Sequence, residues 1–287
     1  MKPLWAAAVV VLALLVPAAA PAAAGTTAGT AARTAPRAAA ALPVVDMEAT
    51  VKAAQIDPRR ADSTLTPGAK ASVLLVEKAL QARGLLAAQW VDGYFGTTTV
   101  TAYTRFQQSL GYSGLAANGL PGRTSLTKLG ANRFTVTRVL TPGTRVDVDG
   151  VLVDTRTQAM LTEAERLLGR TLLLSQGSYN VGGDPSSAGT HDGGGVVDIS
   201  VDGIGSAGRT AIVTALRQVG FAAWLRNPSQ GDWPFHIHAA AISDTDLSSQ
   251  AQHQTGDYFL GRNGLANRGA DDGPRLPIRT WEEYQRA

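Results

Sequence analysis

The sequence predicts an α+β chain, with a small three-helix segment preceding a domain built on a mixed or antiparallel sheet. Three observations carry this. Between Thr66 and Gly130 apolar residues recur at helical spacing and stop at glycines. Beyond Ala131 short alternating apolar runs mix with amphipathic stretches without strict alternation. All 4 histidines, His191, His236, His238 and His253, fall in that second part.

The N-terminus reads as an export signal over 1–24. Lys2 precedes an apolar run from Leu4 to Val16, followed by Pro17 and small residues through Ala24. A spanning helix needs roughly 18 to 20 apolar residues and the run is shorter, so no membrane span is expected once the signal is removed. The chain is then secreted, extracellular or wall-associated, and monomeric. From Thr26 to Leu42 it is nearly all Ala, Thr, Arg, Pro and Gly, with too little apolar surface to offset the entropy of ordering. A flexible stalk is expected over 25–64, then domains at 65–131 and 132–287. With 0 Cys, a disulfide framework and thiolate metal sites are excluded. The net charge is +3, with Lys and Arg scattered rather than clustered with aromatics, which argues against a nucleic-acid partner.

In the first domain Val73, Leu74, Val76 and Leu80 predict one helix ending at Gly84. Val100, Tyr103, Phe106 and Leu110 predict a second ending at Gly111, and a short third lies near Arg123 to Leu129. Between the first two, Val91-Asp92-Gly93-Tyr94-Phe95-Gly96-Thr97 is a turn with Thr residues able to cap the next helix. Leu80 and Gly84, the Asp92 to Gly96 turn, Phe106-Gln107, and Asn118-Gly119 through Thr124 and Leu129 together resemble the three-helix peptidoglycan-binding domain of bacterial wall hydrolases. The resemblance implies a glycan and stem-peptide partner. Taken singly, Phe95 and Phe106 read as core.

In the second domain Phe134 to Leu140 and Val146 to Val153 read as strands, and Thr157 to Leu168 as an amphipathic helix. Thr171 to Ser175, Gly195 to Val201, Phe221 to Leu225 and Phe235 to Ile242 read as further strands, with a helix from Ser206 to Val219. No role follows for the tail from Asp257 to Ala287.

His236 and His238 lie two apart in a strand, so both project from one face while Phe235 and Ile237 project from the other. Such a pair fits structural or surface roles as well as ligation. Upstream, His191-Asp192-Gly193-Gly194-Gly195-Val196-Val197-Asp198 places an imidazole in a glycine loop and a carboxylate in an apolar strand. A carboxylate between Val197 and Ile199 is costly to bury unless paired or metal-bound. The glycines let the backbone pass close to something bulky, or simply make a flexible loop.

These residues resemble the zinc D-Ala-D-Ala carboxypeptidase and dipeptidase family, whose motif is His-x-x-Gly-x-Ala-x-Asp with a second His far downstream. His191, Gly194, Val196 and Asp198 stand in that register, Val replacing Ala. Asp232-Trp233-Pro234-Phe235-His236-Ile237-His238 is similar to the carboxypeptidase branch with its His-x-His ending. The resemblance implies Zn2+ held by His191, Asp198 and His238, three N/O ligands with one position open for catalysis. It implies hydrolysis of a peptidoglycan stem peptide bond, most simply D-Ala-D-Ala.

Three family features are missing, one being a Ser or Thr two residues before the first His, where Gly189 stands with Ser187 two further back. The Glu expected three residues before the last ligand is replaced by Phe235, leaving His236 or Asp232 for proton transfer. The substrate-binding Arg of the Ser-Gly-Tyr-Arg segment is absent from Ser175 to Asn180. Arg226 or Arg262 could stand in by proximity in the fold, but an ordinary surface role is the favoured reading of each. A cross-link endopeptidase is the rival within the same chemistry, and a catalytically silent wall-binding protein the rival outside it. A serine peptidase is excluded by the lack of Gly-x-Ser-x-Gly.

Overall fold

The computed structural model describes residues 41–287, so the expected signal (1–24) and the stretch 25–40 of the expected stalk lie outside the described residues. The rest of that stalk is corrected by the structure. Val44–Asp46 (β1) pairs in parallel with Thr135–Thr137 (β2), and Met47–Ile56 (α1) follows directly, its N-terminus capped by the Asp46 side chain accepting from Ala49 N. Met47, Val51 and Ala54 are buried on one face of α1. Just beyond it, the buried Asp57 carboxylate accepts from Thr66 Oγ1 at 2.6 Å and Phe95 N at 3.0 Å. The signal was present as an Asp cap before apolar residues at helical spacing, but the Ala/Thr/Pro texture upstream masked it.

Three helices follow where the periodicity puts them: Lys70–Gln81 (α2), Thr97–Ser109 (α3) and Arg123–Leu129 (α4). Leu80, Phe95, Tyr103, Phe106, Leu126 and Leu129 are fully buried among them. Each such side chain contributes about 1.5–3 kcal/mol of transfer free energy. This core continues into Val196, Ala240, Leu247 and Ala251 from the far part of the chain, and residues 41–287 form one compact unit. The expected boundary at 131/132 is therefore not marked by a break in packing.

The expected single strand Val146 to Val153 is a hairpin, Arg145–Val148 (β3) paired antiparallel with Val151–Asp154 (β4). Asp149 and Gly150 both have positive φ, at 52° and 88°, which is what a two-residue hairpin turn following the strand twist demands. Asp154 then caps Thr155–Leu168 (α5) by accepting from Thr157 N. The strand expected over Phe134 to Leu140 shortens to β2, because Arg138 takes a left-handed φ of 47° and the chain leaves the ladder.

Four strands make the main sheet: Leu174–Gln176 (β5), Val196–Ser200 (β6), Phe221–Arg226 (β7) and His236–Ala241 (β8), in the order β5-β6-β8-β7 and antiparallel throughout. With α5 and Ser206–Gln218 (α6), this gives an α+β fold with small sheets and 8 α-helices among the described residues. Period-2 alternation divides the sheet. Val197, Ile199, Ala223, Ile237 and Ala239 pack against Met160, Leu161, Ile212 and Leu216 of α5 and α6. The opposite face carries Gln176, Asp198, His238 and Trp224 in one register row, and Ser200, His236 and Arg226 in the next.

Ser249–Phe259 (α7) lies over that second face, with Tyr258 edge-on to Trp224. The 257–287 tail is a clasp. Arg217 on α6 pairs with Asp271, Glu282 pairs with Arg156 at the start of α5, and Arg286 pairs with Glu48 of α1. Its last helix, Trp281–Gln285 (α8), starts with a capping box between Thr280 and Glu283. Among the described residues no helix is long and apolar enough to cross a membrane.

Candidate metal centre

His191 lies in the glycine loop that precedes β6, and the loop is held from both sides. Tyr179 N donates to Gly193 O, Asn180 N to His191 O, and Gly194 N to Asp246 O. A Cβ at Gly193 would stand 2.3 Å from Asp246 O and 2.4 Å from Ser248 N. Gly195 has φ of +74°, with Asp244 2.9 Å from its missing Cβ. Close backbone approach, rather than looseness, explains the run of glycines.

The loop delivers a fixed imidazole. His191 Nδ1 lies 2.9 Å from Gly177 O, an acceptor only, so Nδ1 carries the proton. Its Nε2 points inward, 3.3 Å from Asp198 Oδ1, fully buried and without a hydrogen-bond partner. His238 comes across the sheet in direct register with Asp198, its Nδ1 2.8 Å from the same Oδ1. Its Nε2 lies 2.8 Å from Gln254 Oε1 on α7. Gln254 Nε2 in turn donates to Gly264 O at 3.2 Å, which leaves Oε1 as the group facing His238. The Nε2 of His238 therefore donates and its Nδ1 faces Asp198.

One atom from each of His191, Asp198 and His238 lies within 4.8 Å of the others, and this buried group could hold a metal ion. The outward nitrogen of each imidazole is already engaged, by Gly177 O and Gln254 Oε1, an arrangement that fixes tautomer and ring orientation in metal sites. Burial pushes the Asp198 carboxyl up, but the His191 and His238 imidazoles outweigh it and hold the group far below the usual carboxylate range. Burial also pulls His238 below its ordinary value, against the opposing pull of Asp198. An ionised carboxylate beside a neutral imidazole is the protonation state that ligation requires.

The group lines a cavity of about 630 Å³. His236 joins it, with Nε2 3.9 Å from Asp198 Oδ2 and Nδ1 2.9 Å from Pro234 O. Its neighbour Phe235 points away, partly exposed beneath Arg209. Asp232 is exposed and does not line the cavity. Nor does Arg262, whose Nη1 donates to Arg268 O. Arg226 is buried and borders the cavity, so the surface alternative for it does not hold. Sequence reasoning missed Gln254, because α7 is polar on most of its length and Gln254 carries no distinguishing signal. No family model matches the chain, and neither a curated protein nor a solved structure matches it.

Proposed function

We propose that the chain is a secreted zinc peptidase acting on peptidoglycan stem peptides, most simply as a D-Ala-D-Ala carboxypeptidase, with its helical segment as wall-binding partner. The observation that carries the reading is His191 Nε2, a buried nitrogen with no partner, aimed at a carboxylate and a second fixed imidazole. Two imidazole nitrogens and one carboxylate oxygen suit zinc, and three protein ligands leave a position for water or substrate. Zinc held there would supply Lewis acidity, lowering the pKa of a bound water to about 7 and polarising a scissile carbonyl.

The chain's own residues would do the rest. His191, Asp198 and His238 hold the ion, and Gly177 and Gln254 hold the imidazoles. His236 offers Nε2 to the cavity because its Nδ1 proton is engaged by Pro234 O, so it can take a proton and return it to the leaving amine. Asp232, exposed outside the cavity, is set aside for this step. The test is digestion of purified peptidoglycan by the zinc-loaded protein, with mass spectrometry of the products. Loss of a single alanine supports the carboxypeptidase, consumption of cross-linked dimers turns the reading to an endopeptidase, and an unchanged profile turns it to a silent wall-binding protein.

A further inference from the structure

Three arginines are almost wholly buried in the described chain, and two are neutralised in the ordinary way. Arg156 makes a two-pronged pair with Glu282 and faces Asp244, and Arg217 makes one with Asp271. Arg59, at the rim of the cavity, is likewise engaged by both oxygens of Asp257. Arg226 differs. Only 3% exposed, it has no carboxylate within ion-pair distance among the described residues. Its Nη1 donates to Asn263 O at 2.8 Å, and Nη2 is buried with no partner. Its Cζ lies 5.0 Å from the Trp224 ring, a contact that leaves the in-plane N–H groups unanswered. Burial pulls its pKa down to about 10, against the distant pull of Asp198, Asp272 and Asp271, so it stays charged at neutral pH. A buried charge without a counter-ion is costly.

The position of this charge says what would answer it. Arg226 stands in register opposite His236, on the face that carries Asp198 and His238. It is a diagonal neighbour of His238, and such pairs have Cβ atoms roughly 7–8 Å apart. An anion seated on Arg226 therefore lies beside the metal group. A guanidinium with free in-plane N–H groups matches a carboxylate. We propose that Arg226 binds the free carboxylate of the residue that follows the scissile bond, which makes the site selective for acyl-dipeptides with an unblocked C-terminus. This rests on the peptidase reading above and supplies, from β7, the carboxylate holder that is missing near β5. On β5 itself Gln176 Nε2 is a second buried donor without a partner, facing the same cavity. It flanks the metal group on the other side and is left for an uncharged part of the substrate.

The test is equilibrium dialysis of the zinc-loaded full chain in the cold with Nα,Nε-diacetyl-L-Lys-D-Ala-D-Ala and with its C-terminal carboxamide, hydrolysis being followed in the same samples. Hydrogen bonds to a charged group predict that the acid binds on the order of tenfold to a hundredfold tighter than the amide. In Arg226→Met that preference should vanish with zinc content unchanged, and Arg226→Lys should keep part of it. Equal binding of acid and amide by the unaltered chain overturns the assignment, as does failure to bind either or a preference that survives in Arg226→Met. The unaltered chain alone decides the first comparison, so a variant that fails to fold leaves the test intact. A preference without hydrolysis would sink the peptidase reading and keep the carboxylate site, whereas hydrolysis without a preference would do the reverse.

Discussion

The two faces of the four-stranded sheet are made by the same strands and differ in one respect. On the face toward α5 and α6, Val197, Ile199, Ile237 and Ala239 are fully buried in apolar contact. On the other side, around the cavity, His191 Nε2, Gln176 Nε2 and Arg226 Nη2 are buried and lack a hydrogen-bond partner. Buried polar groups in native proteins are almost always satisfied, and among the described residues 4 of the 11 exceptions, Trp233 Nε1 being the fourth, line this one cavity, as they would if a ligand completed it. The apolar face is closed by the chain's own side chains, and on the function proposed above the polar face would be completed by its ligands.

Removing a ligand should give the largest effect on this contrast. His191→Ala is expected to abolish stoichiometric zinc and with it all turnover, as read by elemental analysis of the purified protein. Zinc retained at one per chain would break the assignment of the unpartnered Nε2. His236→Ala should keep the zinc and lose on the order of 10² to 10⁴ in turnover, the usual range for a proton-transfer group. Near-normal turnover in that variant leaves the mechanism without a base, since Asp232 stands outside the cavity.

A substitution on the other face should act in a different currency. Ile237→Ala empties a fully buried site between β8 and the helices and is expected to cost about 2–5 kcal/mol in urea unfolding. Zinc per folded chain should not change, although Ile237 lies between His236 and His238. If zinc stoichiometry falls with stability, the two faces are not separable and the contrast fails.

The part of this arrangement that was legible in the sequence is the part set by periodicity. Alternation alone put His236 and His238 together and Ile237 in the core, and the helical spacing in α2 to α4 located those helices. The glycine run before Asp198 pointed to close backbone approach without saying to what. Register was not legible: nothing local states that Asp198 faces His238, or that Arg226 faces His236. Arg226, at the end of an apolar strand before Asn227-Pro228, reads better as a surface residue until its burial is seen. Asp232 looked close because it is near in sequence, but the chain from Asn227 to Pro234 carries it outward into solvent. The Asp149-Gly150 hairpin signal was present and was outweighed by the apolar run around it. Helix α7 had only its Ser248 cap to announce it.

The smallest expected effect belongs to the residue the sequence did not mark. Gln254 borders the cavity, and its hydrogen bond to the metal group is the one with His238 Nε2. Replacing it with Leu keeps the bulk and removes the acceptor, so the imidazole can turn or take its other tautomer, which would place a proton on the Nδ1 that faces Asp198. Outer contacts of this kind are worth roughly tenfold to a hundredfold in metal affinity. Gln254→Leu should therefore bind zinc that much more weakly in a chelator competition, while still reaching one zinc per chain at saturation. Gln254→Glu, which keeps an acceptor for the Nε2 proton, should recover most of the loss even though it gives up the donor to Gly264 O. Recovery by Glu separates an effect on the imidazole from a disturbance of the 264 loop, because a loop effect would weaken both variants alike. If both variants bind zinc as tightly as the unaltered chain, His238 is oriented by Asp198 and the Trp224 ring alone, and α7 is a lid on the cavity rather than part of the metal centre.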